Sequence, residues 1–434
     1  MKTIDEIKEW IYELNERTEV YISQNLLSDS STWFYDDKDG TIHNQNHTFF
    51  SVVGIKGKIN NKEIEQPILL QNEIGYLGIL CKRIDNVYYY LMQAKIEPGN
   101  INCIQISPTI QATKSNFTQK HGGNKPLYLE YFLNAQNEDI IVDQIQSEQS
   151  SRFYKKRNRN MIVEVHEEIE IDKRFCWMTL WQIKELMKER NLVNMDTRTV
   201  LSCLPFICSQ YQGEIKNQYL YNSIYEKNYV QEIVQLYHEI NNYKMFTEDY
   251  LEITRLDELK NWIIDNSGIR CRFEYPYEVI YCDIEIEGRE VRSWTQPLFK
   301  AIGMATFGLI CTIVDNQYKF LVKIRPEIGC FDKIEIGPSI QKEANEKFED
   351  SIEKLFYKKM INEENLLFDS ILSEEGGRFY HEENRNVVML IPNDELKEIP
   401  KNYYLVSYAA LNHLNLINNC LNIQLRNLLS TLEV

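Results

Sequence analysis

The segment Gly78-Ile79-Leu80-Cys81-Lys82-Arg83-Ile84-Asp85-Asn86 returns 230 positions later as Gly308-Leu309-Ile310-Cys311-Thr312-Ile313-Val314-Asp315-Asn316. The same offset, held without a gap, aligns residues 66–111 with residues 296–341, and 15 of these 46 positions are identical. Ordinary residue frequencies would give roughly three identities by chance, so the sequence predicts an internal duplication.

A second repeated block lies at an offset of 226. Arg152-Phe153-Tyr154 and Asn158-Arg159-Asn160 recur as Arg378-Phe379-Tyr380 and Asn384-Arg385-Asn386. Residues 4–10, which have helical apolar spacing, resemble residues 256–262. We therefore predict an N-terminal repeat over residues 1–207, a helical linker over 208–248 and a C-terminal repeat over 249–434.

Within each repeat, short apolar runs alternate with turn residues. Asp85-Asn86 separates two such runs and predicts a tight β-hairpin, repeated at Asp315-Asn316. Helical spacing follows at about 180–190 and 198–204. The expected fold class is α+β, a mixed sheet with flanking helices that is made twice.

Composition excludes several classes of protein. The formal net charge of −16 argues against general nucleic-acid binding, so an anionic ligand would need a local basic pocket. The sequence contains no run of about 18 apolar residues, so no membrane span is expected. Ten cysteines without a Cys-x-x-Cys pair predict reduced thiols and a cytoplasmic location. The seven histidines are dispersed, and metal, P-loop, Rossmann and serine-hydrolase motifs are absent from the sequence.

The first polar cluster lies on a predicted strand. Gln93, Lys95 and Glu97 share one face by strand alternation, which fits either a pocket wall or a solvated face. The repeat favours the pocket, because Lys323, Arg325 and Glu327 keep that face polar.

Two loops supply further candidates. Hydroxyl and amide groups between Ser107 and Gly123 suit a sugar or phosphate, although an ordinary polar loop has the same composition. The basic run 152–159 suits a diphosphate, because guanidinium groups bind phosphate oxygens in pairs; the alternative is a solvated turn. In the second copy, His381-Glu382-Glu383 replaces Lys155-Lys156-Arg157.

Together these segments resemble the NDP-hexose 2,3-dehydratase family over nearly the whole chain. The matching segments are Gln66-Pro67-Ile68-Leu69, Glu73-Ile74-Gly75, residues 93–100, residues 105–116, His121-Gly122-Gly123, Trp294-Thr295-Gln296-Pro297 and Glu335-Ile336-Gly337-Pro338. The resemblance implies tandem Nudix-like domains, a homodimer, and removal of the C2 hydroxyl from an NDP-4-keto-6-deoxyhexose, with dTDP as the expected nucleotide. It also implies a partner ketoreductase that reduces the product. The sequence lacks a Nudix box, so no metal is expected. Because this reaction removes no net electrons from the substrate, no other cofactor is expected either.

Site roles follow from the clusters and the resemblance. The acid–base candidates are Glu97, Tyr154 and His121, and Lys95 is the candidate donor to an enolate oxygen. Substrate binding is assigned to Gln93, Thr113, Ser115, Asn116, Arg152, Arg157, Asn158 and Arg159. A vestigial second site is assigned to Lys323, Glu327, Arg378, Tyr380 and Arg385. We expect the N-terminal pocket to be the active one, because its polar loop and basic run are richer.

Two other functions remain open at this point. One is an epimerase or tautomerase that acts on an NDP-keto-sugar, and the other is a non-catalytic protein that binds nucleotide sugars. Turnover separates the enzyme from the binding protein, and product mass separates dehydration from isomerisation.

Overall fold

A computed structural model describes residues 2–113, 125–206, 215–287 and 291–432. Within these ranges the chain has an α+β architecture of nine helices and four sheets. The helices are α1 (Ile4–Arg17), α2 (Leu129–Leu133), α3 (Leu180–Leu186), α4 (Met195–Leu201), α5 (Gln218–Ile224), α6 (Tyr229–Phe246), α7 (Ser351–Ile361), α8 (Tyr408–Asn415) and α9 (Ile423–Ser430). None of these helices is long and apolar enough to cross a membrane.

The first half of the chain builds a seven-stranded sheet. Its strands are β6 (Gly75–Ile84), β7 (Val87–Ile96), β8 (Ile104–Ser107), β9 (Ile110–Ala112), β10 (Ile140–Ser147), β11 (Arg157–Glu164) and β12 (Phe175–Thr179). Their order is β10-β11-β6-β7-β12, with β8 added to β7 and β9 added to β6. The β11–β6 pair is parallel, and the other pairs are antiparallel.

The second half builds a seven-stranded sheet with the same strand order. Its strands are β18 (Thr306–Val314), β19 (Gln317–Pro326), β20 (Ile334–Pro338), β21 (Ile340–Lys342), β22 (Leu366–Ser373), β24 (Glu383–Leu390) and β25 (Tyr403–Ser407). They are ordered β22-β24-β18-β19-β25, with β20 on β19 and β21 on β18. The β24–β18 pair is again the parallel one.

Two smaller sheets exchange strands between the halves. Their strands are β1 (Val20–Asn25), β2 (Trp33–Asp36), β3 (Thr41–Asn44), β4 (Ser51–Ile59), β5 (Lys62–Leu70), β13 (Tyr250–Thr254), β14 (Trp262–Asp265), β15 (Gly268–Cys271), β16 (Tyr277–Ile286), β17 (Ser293–Ala301) and β23 (Phe379–Tyr380). Strand β1 from the first half pairs with β16, and β13 from the second half pairs with β4. Each half therefore completes a sheet of the other.

The predicted hairpin turns are confirmed. Asp85 and Asn86 have φ values of 49° and 66°, and Asp315 and Asn316 have values of 49° and 59°. Two successive residues with positive φ define the turn that suits a two-residue hairpin, and Asp and Asn tolerate that conformation.

The predicted second copy of the N-terminal helix at 256–262 is wrong. A single turn forms there and leads into β14. Leu256, Leu259 and Trp262 are buried in a core between sheets, so their spacing of three residues imitates a helical face. The predicted linker range 208–248 contains α5 and α6, and α6 precedes β13 as α1 precedes β1.

The halves share one hydrophobic core. A single cluster contains buried residues from both seven-stranded sheets, including Ile79 and Cys81 from β6 and Leu309 and Cys311 from β18. Removing apolar surface from water is the main force that stabilises such an arrangement. The two halves are therefore packed together through their cores as well as through exchanged strands.

Two loops, which we call the crossed loops (residues 148–156 and 374–382), each reach into the opposite half. The N–H of Lys155 donates to the Gly329 carbonyl at 2.8 Å, and the N–H of His381 donates to the Gly99 carbonyl at 2.9 Å. A Cβ on Gly99 would lie 1.5 Å from the Phe379 oxygen, so only glycine permits this approach. The same holds at Gly329, where the distance would be 1.8 Å to the oxygen of Phe153.

Candidate active site

A cavity of about 830 Å³ opens between the first half, strands β16 and β17, and the second crossed loop. This volume lies in the range of small-molecule sites. Its polar wall combines residues from β7, β11, α4 and both crossed loops. These polar residues are Lys95, Glu97, Gln111, Glu148, Lys156, Asn158, Asp196, Glu375 and Arg378.

Glu97 and Lys95 face the cavity from the end of β7. The Glu97 carboxylate accepts a hydrogen bond from Gln111 Nε2 at 2.7 Å, and Lys95 Nζ lies 3.6 Å from Glu97 Oε1. Lys95 Nζ also donates to the Gln111 carbonyl at 3.3 Å. A carboxylate held by a donor and an ammonium group keeps its orientation toward the cavity.

Five further carboxyl groups lie at the cavity wall: Glu148, Asp196, Asp283, Glu285 and Glu375. Burial raises the pKa of Asp196 well above its ordinary value, and the negative charges of nearby glutamates raise it further. Burial, followed by repulsion from neighbouring carboxylates, also raises the pKa of Glu375, to about 7, against the opposing charge of Arg378. The pKa of Glu148 is raised by burial as well. Burial therefore favours the protonated form of Glu148, Asp196 and Glu375.

Two cations complete the polar wall. Arg378 donates to Gln71 Oε1 at 3.1 Å and to Glu375 Oε1 at 3.3 Å. Burial and the neighbouring charge of Arg378 lower the pKa of Lys156 to about 8. With Lys95, these two groups are the cations of the cavity wall that an anionic ligand would contact.

Several polar atoms at the cavity have no hydrogen-bond partner within the described ranges. They are Gln71 Nε2, Asp196 Oδ1, Glu375 Oε2 and Arg378 Nε. Buried polar atoms are nearly always hydrogen-bonded in folded proteins. Four such atoms around one cavity indicate a site that is built to receive a polar ligand.

The remaining wall is aromatic. It contains Trp33, Phe49, Phe50 and Trp294, and the ring centroids of Trp33 and Phe50 lie 4.9 Å apart. Arg378 joins this wall to the polar one, because its guanidinium carbon lies 5.6 Å from the Phe50 ring centroid. The cavity therefore offers flat apolar surface beside charge, which suits a ligand with a ring system and an anionic part.

The cavity contains four of the predicted first-site residues: Lys95, Glu97, Thr113 and Asn158. Asn158 Nδ2 donates to Glu148 at 2.6 Å. Gln93 and Tyr154 do not line the cavity, and Tyr154 packs against a separate apolar cluster. Ser115, Asn116 and His121 lie outside the described residues.

The arginines of the basic run point elsewhere. Arg152 was expected at the first site, but its side chain crosses to the second half. Arg157 stacks on Phe331, 3.8 Å from the ring centroid. Arg159 forms an ion pair with Asp143 at 2.5 Å and donates to the Tyr76 hydroxyl at 2.8 Å.

The residues predicted for a second site are dispersed. Arg378 instead lines the first cavity. Lys323 forms ion pairs with Asp350 and Glu353, Arg385 forms one with Asp369, and Tyr380 stacks on His381. Glu327 is buried and accepts a hydrogen bond from Gln341. These contacts do not bring the five residues predicted for the second site together in one pocket.

Arg152 occupies the position in the second half that Arg378 occupies in the first. Its Nη2 atom lies 3.2 Å from Glu343 and 4.0 Å from Glu382, and its guanidinium carbon lies 4.3 Å from the Tyr277 ring centroid. Burial alone would lower the pKa of Arg152, but the charges of Glu343 and Glu382 outweigh burial and raise this pKa above its ordinary value. The protein itself therefore supplies the partners of this arginine.

One trio of side chains among the described residues has metal-ligand spacing. The ligand atoms of Asp36, Asp39 and His43 lie within 4.8 Å of one another on the β2–β3 hairpin. Asp36 already accepts from the N–H of Lys38, and Asp39 accepts from the N–H and hydroxyl of Thr41. The turn itself explains this arrangement, and none of the trio lines the cavity.

Sequence reasoning assigned no role to Glu148, Asp196 and Glu375, and it included Lys156 only as a member of the basic run. Comparison of the repeats at their non-identical positions gives a signal for three of these residues, because Lys156 aligns with Glu382, Asp196 with Gln424 and Glu375 with Gln149. Such differences mark positions where the halves have different chemistry.

Comparison with known proteins identifies relatives over almost the whole chain. A family model described as NDP-hexose 2,3-dehydratase matches residues 4–204 and 234–432. Three similar proteins are named dTDP-4-dehydro-6-deoxy-alpha-D-glucopyranose 2,3-dehydratase. The one from Saccharopolyspora spinosa is 35% identical, over 93% of this chain and 86% of its own. Those from Streptomyces violaceoruber and Amycolatopsis orientalis are 33% and 32% identical, over 97% and 100% of this chain and 95% and 90% of their own.

Proposed function

The chain belongs to the NDP-hexose 2,3-dehydratase family, and from this premise we propose that it removes water from dTDP-4-dehydro-6-deoxy-α-D-glucopyranose in the cavity of its first half. The observation that carries this assignment is the Glu97–Lys95 pair, which faces a cavity with buried, unpartnered polar atoms. The identity of the proposed substrate comes from the names of the three similar proteins.

The reaction needs a base next to a stabilised enolate. The C4 ketone acidifies the hydrogen on C3, and Glu97 is the base that removes it. Lys95 donates to the enolate oxygen, since its ammonium group lies beside the same carboxylate. The C2 hydroxyl, which is β to the ketone, then departs. The remaining enol becomes the C3 ketone, so electrons are conserved overall.

The rest of the cavity matches the nucleotide part of the substrate. Arg378 and Lys156 provide positive charge for the anionic part of the substrate, and guanidinium groups bind phosphate oxygens well. The aromatic wall of Trp33, Phe50 and Trp294 provides a surface for the base. Thr113 and Asn158 remain candidates for hydrogen bonds to the sugar.

We also infer that the two halves derive from one Nudix-like unit. The identical strand order of the seven-stranded sheets supports this inference. The boundaries at 207 and 249 stay a prediction, and the place of α6 before β13 favours an earlier start for the second unit. A homodimer and a partner 3-ketoreductase are further expectations from the family.

Mass spectrometry of the trapped product tests the assignment. Purified protein is incubated with the dTDP-4-keto-6-deoxyglucose substrate, a 3-ketoreductase and NADPH, which intercept the diketone. We expect a product that has lost one water and gained two hydrogens. A product of unchanged mass but altered configuration would identify an epimerase. Unchanged substrate despite measurable binding would identify a non-catalytic binding protein.

A further inference from the structure

Asp196 is a carboxyl group of the cavity that the reaction outlined above does not yet use. It is the second residue of α4, its side chain is 2% exposed, and it lines the cavity. Its Oδ1 atom has no hydrogen-bond partner among the described residues. A buried carboxyl oxygen without a protein partner at a cavity wall is placed to contact a ligand.

The two halves provide a matched comparison for this position. Helices α4 and α9 both begin after an asparagine cap, which donates to a glutamine that donates to a glutamate. The chain is Asn194–Gln111–Glu97 in the first half and Asn422–Gln341–Glu327 in the second. Within this shared frame, Asp196 is replaced by Gln424. The acidic group is therefore present only in the half whose asparagine–glutamine–glutamate chain borders the cavity.

Asp196 and Glu97 have different electrostatic surroundings. Besides burial, the charges of Glu148, Glu97 and Glu375 act to keep the proton on Asp196, and Lys95 opposes them. Glu97 is instead held by Lys95 and Gln111. A carboxyl group whose surroundings hold its proton can act as the acid beside a second carboxyl group that acts as the base.

We propose that Asp196 is the catalytic acid that protonates the C2 hydroxyl as it leaves. This role rests on the proposed dehydratase function. The Asp196 proton joins the departing hydroxide to form water while the C2–O bond breaks. The Asp196 carboxylate then removes the proton of the C3 enol hydroxyl as the C3 ketone forms.

Protons and electrons balance in this sequence. Glu97 takes the C3 proton and returns it to C2 when the enol becomes the ketone. Asp196 gives one proton to the leaving group and recovers one from the C3 hydroxyl. The substrate loses one water, and both carboxyl groups regain their starting forms without an oxidant or a reductant.

The test separates proton abstraction from loss of the hydroxyl. Wild-type protein, Asp196→Asn and Glu97→Gln are compared in D₂O by exchange of the C3 hydrogen and by yield of the trapped product. We expect Asp196→Asn to retain C3 exchange while dehydration falls at least about 100-fold, the lower range for loss of an acid–base group. Glu97→Gln should lose both. Gln424→Asn is the matched control and should dehydrate normally.

A C2-fluoro analogue of the substrate gives a second measurement. Fluoride departs without a proton, so Asp196→Asn should release fluoride at a rate close to that of wild type, whereas Glu97→Gln should not. A merely structural role for Asp196 would reduce both reactions equally. Normal dehydration by Asp196→Asn, or loss of C3 exchange and of fluoride release together, would overturn the proposal. Absence of product from wild type would instead contradict the dehydratase function itself.

Discussion

The first and second halves place one arginine each in the opposite half, yet the two arginines have different surroundings. Arg378 lines the cavity beside Lys156, whereas Arg152 is surrounded by Glu343 and Glu382. By the repeat, Glu382 replaces Lys156 and Glu343 replaces Thr113.

The difference teaches that one scaffold supports two chemistries. Strand order, crossed loops and the glutamine–glutamate pair are common to both halves. Glu343 and Glu382 face the arginine of the second half, and Thr113 and Lys156 stand at the matching positions on the cavity wall of the first. The two halves therefore differ in a few side chains rather than in their fold.

The largest expected difference between the halves concerns the paired glutamates. Glu97→Gln should lower kcat about 10²- to 10⁴-fold because the base is lost. The matched change Glu327→Gln should keep kcat, because Glu327 does not line the cavity. Steady-state rates of the coupled assay measure both. Equal losses in the two variants would remove the distinction between the halves.

Arg152 should matter most for stability. Arg152→Ala leaves the buried Glu382 and the partly exposed Glu343 without their cation, and breaking such a pair costs up to about 3–5 kcal/mol of unfolding free energy. Urea denaturation measures the change. Adding Glu343→Gln and Glu382→Gln should restore part of the loss, and failure to do so would contradict the electrostatic explanation.

Arg378 should matter for turnover. Arg378→Ala should lower kcat/KM about 10- to 100-fold, the effect of losing hydrogen bonds to a charged group. Arg378→Lys should recover only part of the activity, because an ammonium lacks the planar fork of donors. Saturation kinetics separate KM from kcat. An unchanged kcat/KM would mean that the substrate does not reach this arginine.

The smallest expected effect is a slope of stability with pH. Burial raises the pKa of Glu374 and Glu375 to about 7 and that of Glu382 to about 8. The folded protein therefore holds protons that the unfolded chain releases above about 4.5, so stability falls as pH rises and the loss is complete above pH 8. Glu375→Gln should reduce this slope by about 1.4 kcal/mol per pH unit between pH 5.5 and 6.5. Urea denaturation at several pH values measures this slope. Equal slopes of unfolding free energy against pH in wild type and Glu375→Gln would contradict the prediction.

The sequence predicted the parts of the fold that depend on neighbouring residues. Asp85-Asn86 and its repeat form the expected turns, and strand alternation correctly placed Lys95 and Glu97 on one face. The prediction of a helix at residues 256–262 was wrong, because buried residues spaced three apart also occur in an irregular segment between sheets.

The sequence could not reveal which half each loop enters. Repetition of Arg152 as Arg378 shows that the loops are equivalent, but crossing is a tertiary property and local patterns do not encode it. Asp196 and Glu375 were missed for the same reason, because their importance comes from distant segments that meet at the cavity.

The glycines that contact the crossed loops make each half depend on the other for its structure. Gly99 of the first half supports the loop that carries Arg378, and Gly329 of the second half supports the loop that carries Arg152. The chain thus behaves as an obligate heterodimer fused into one polypeptide. Both halves contribute residues to the cavity wall, so neither half separated from the other would retain the complete set.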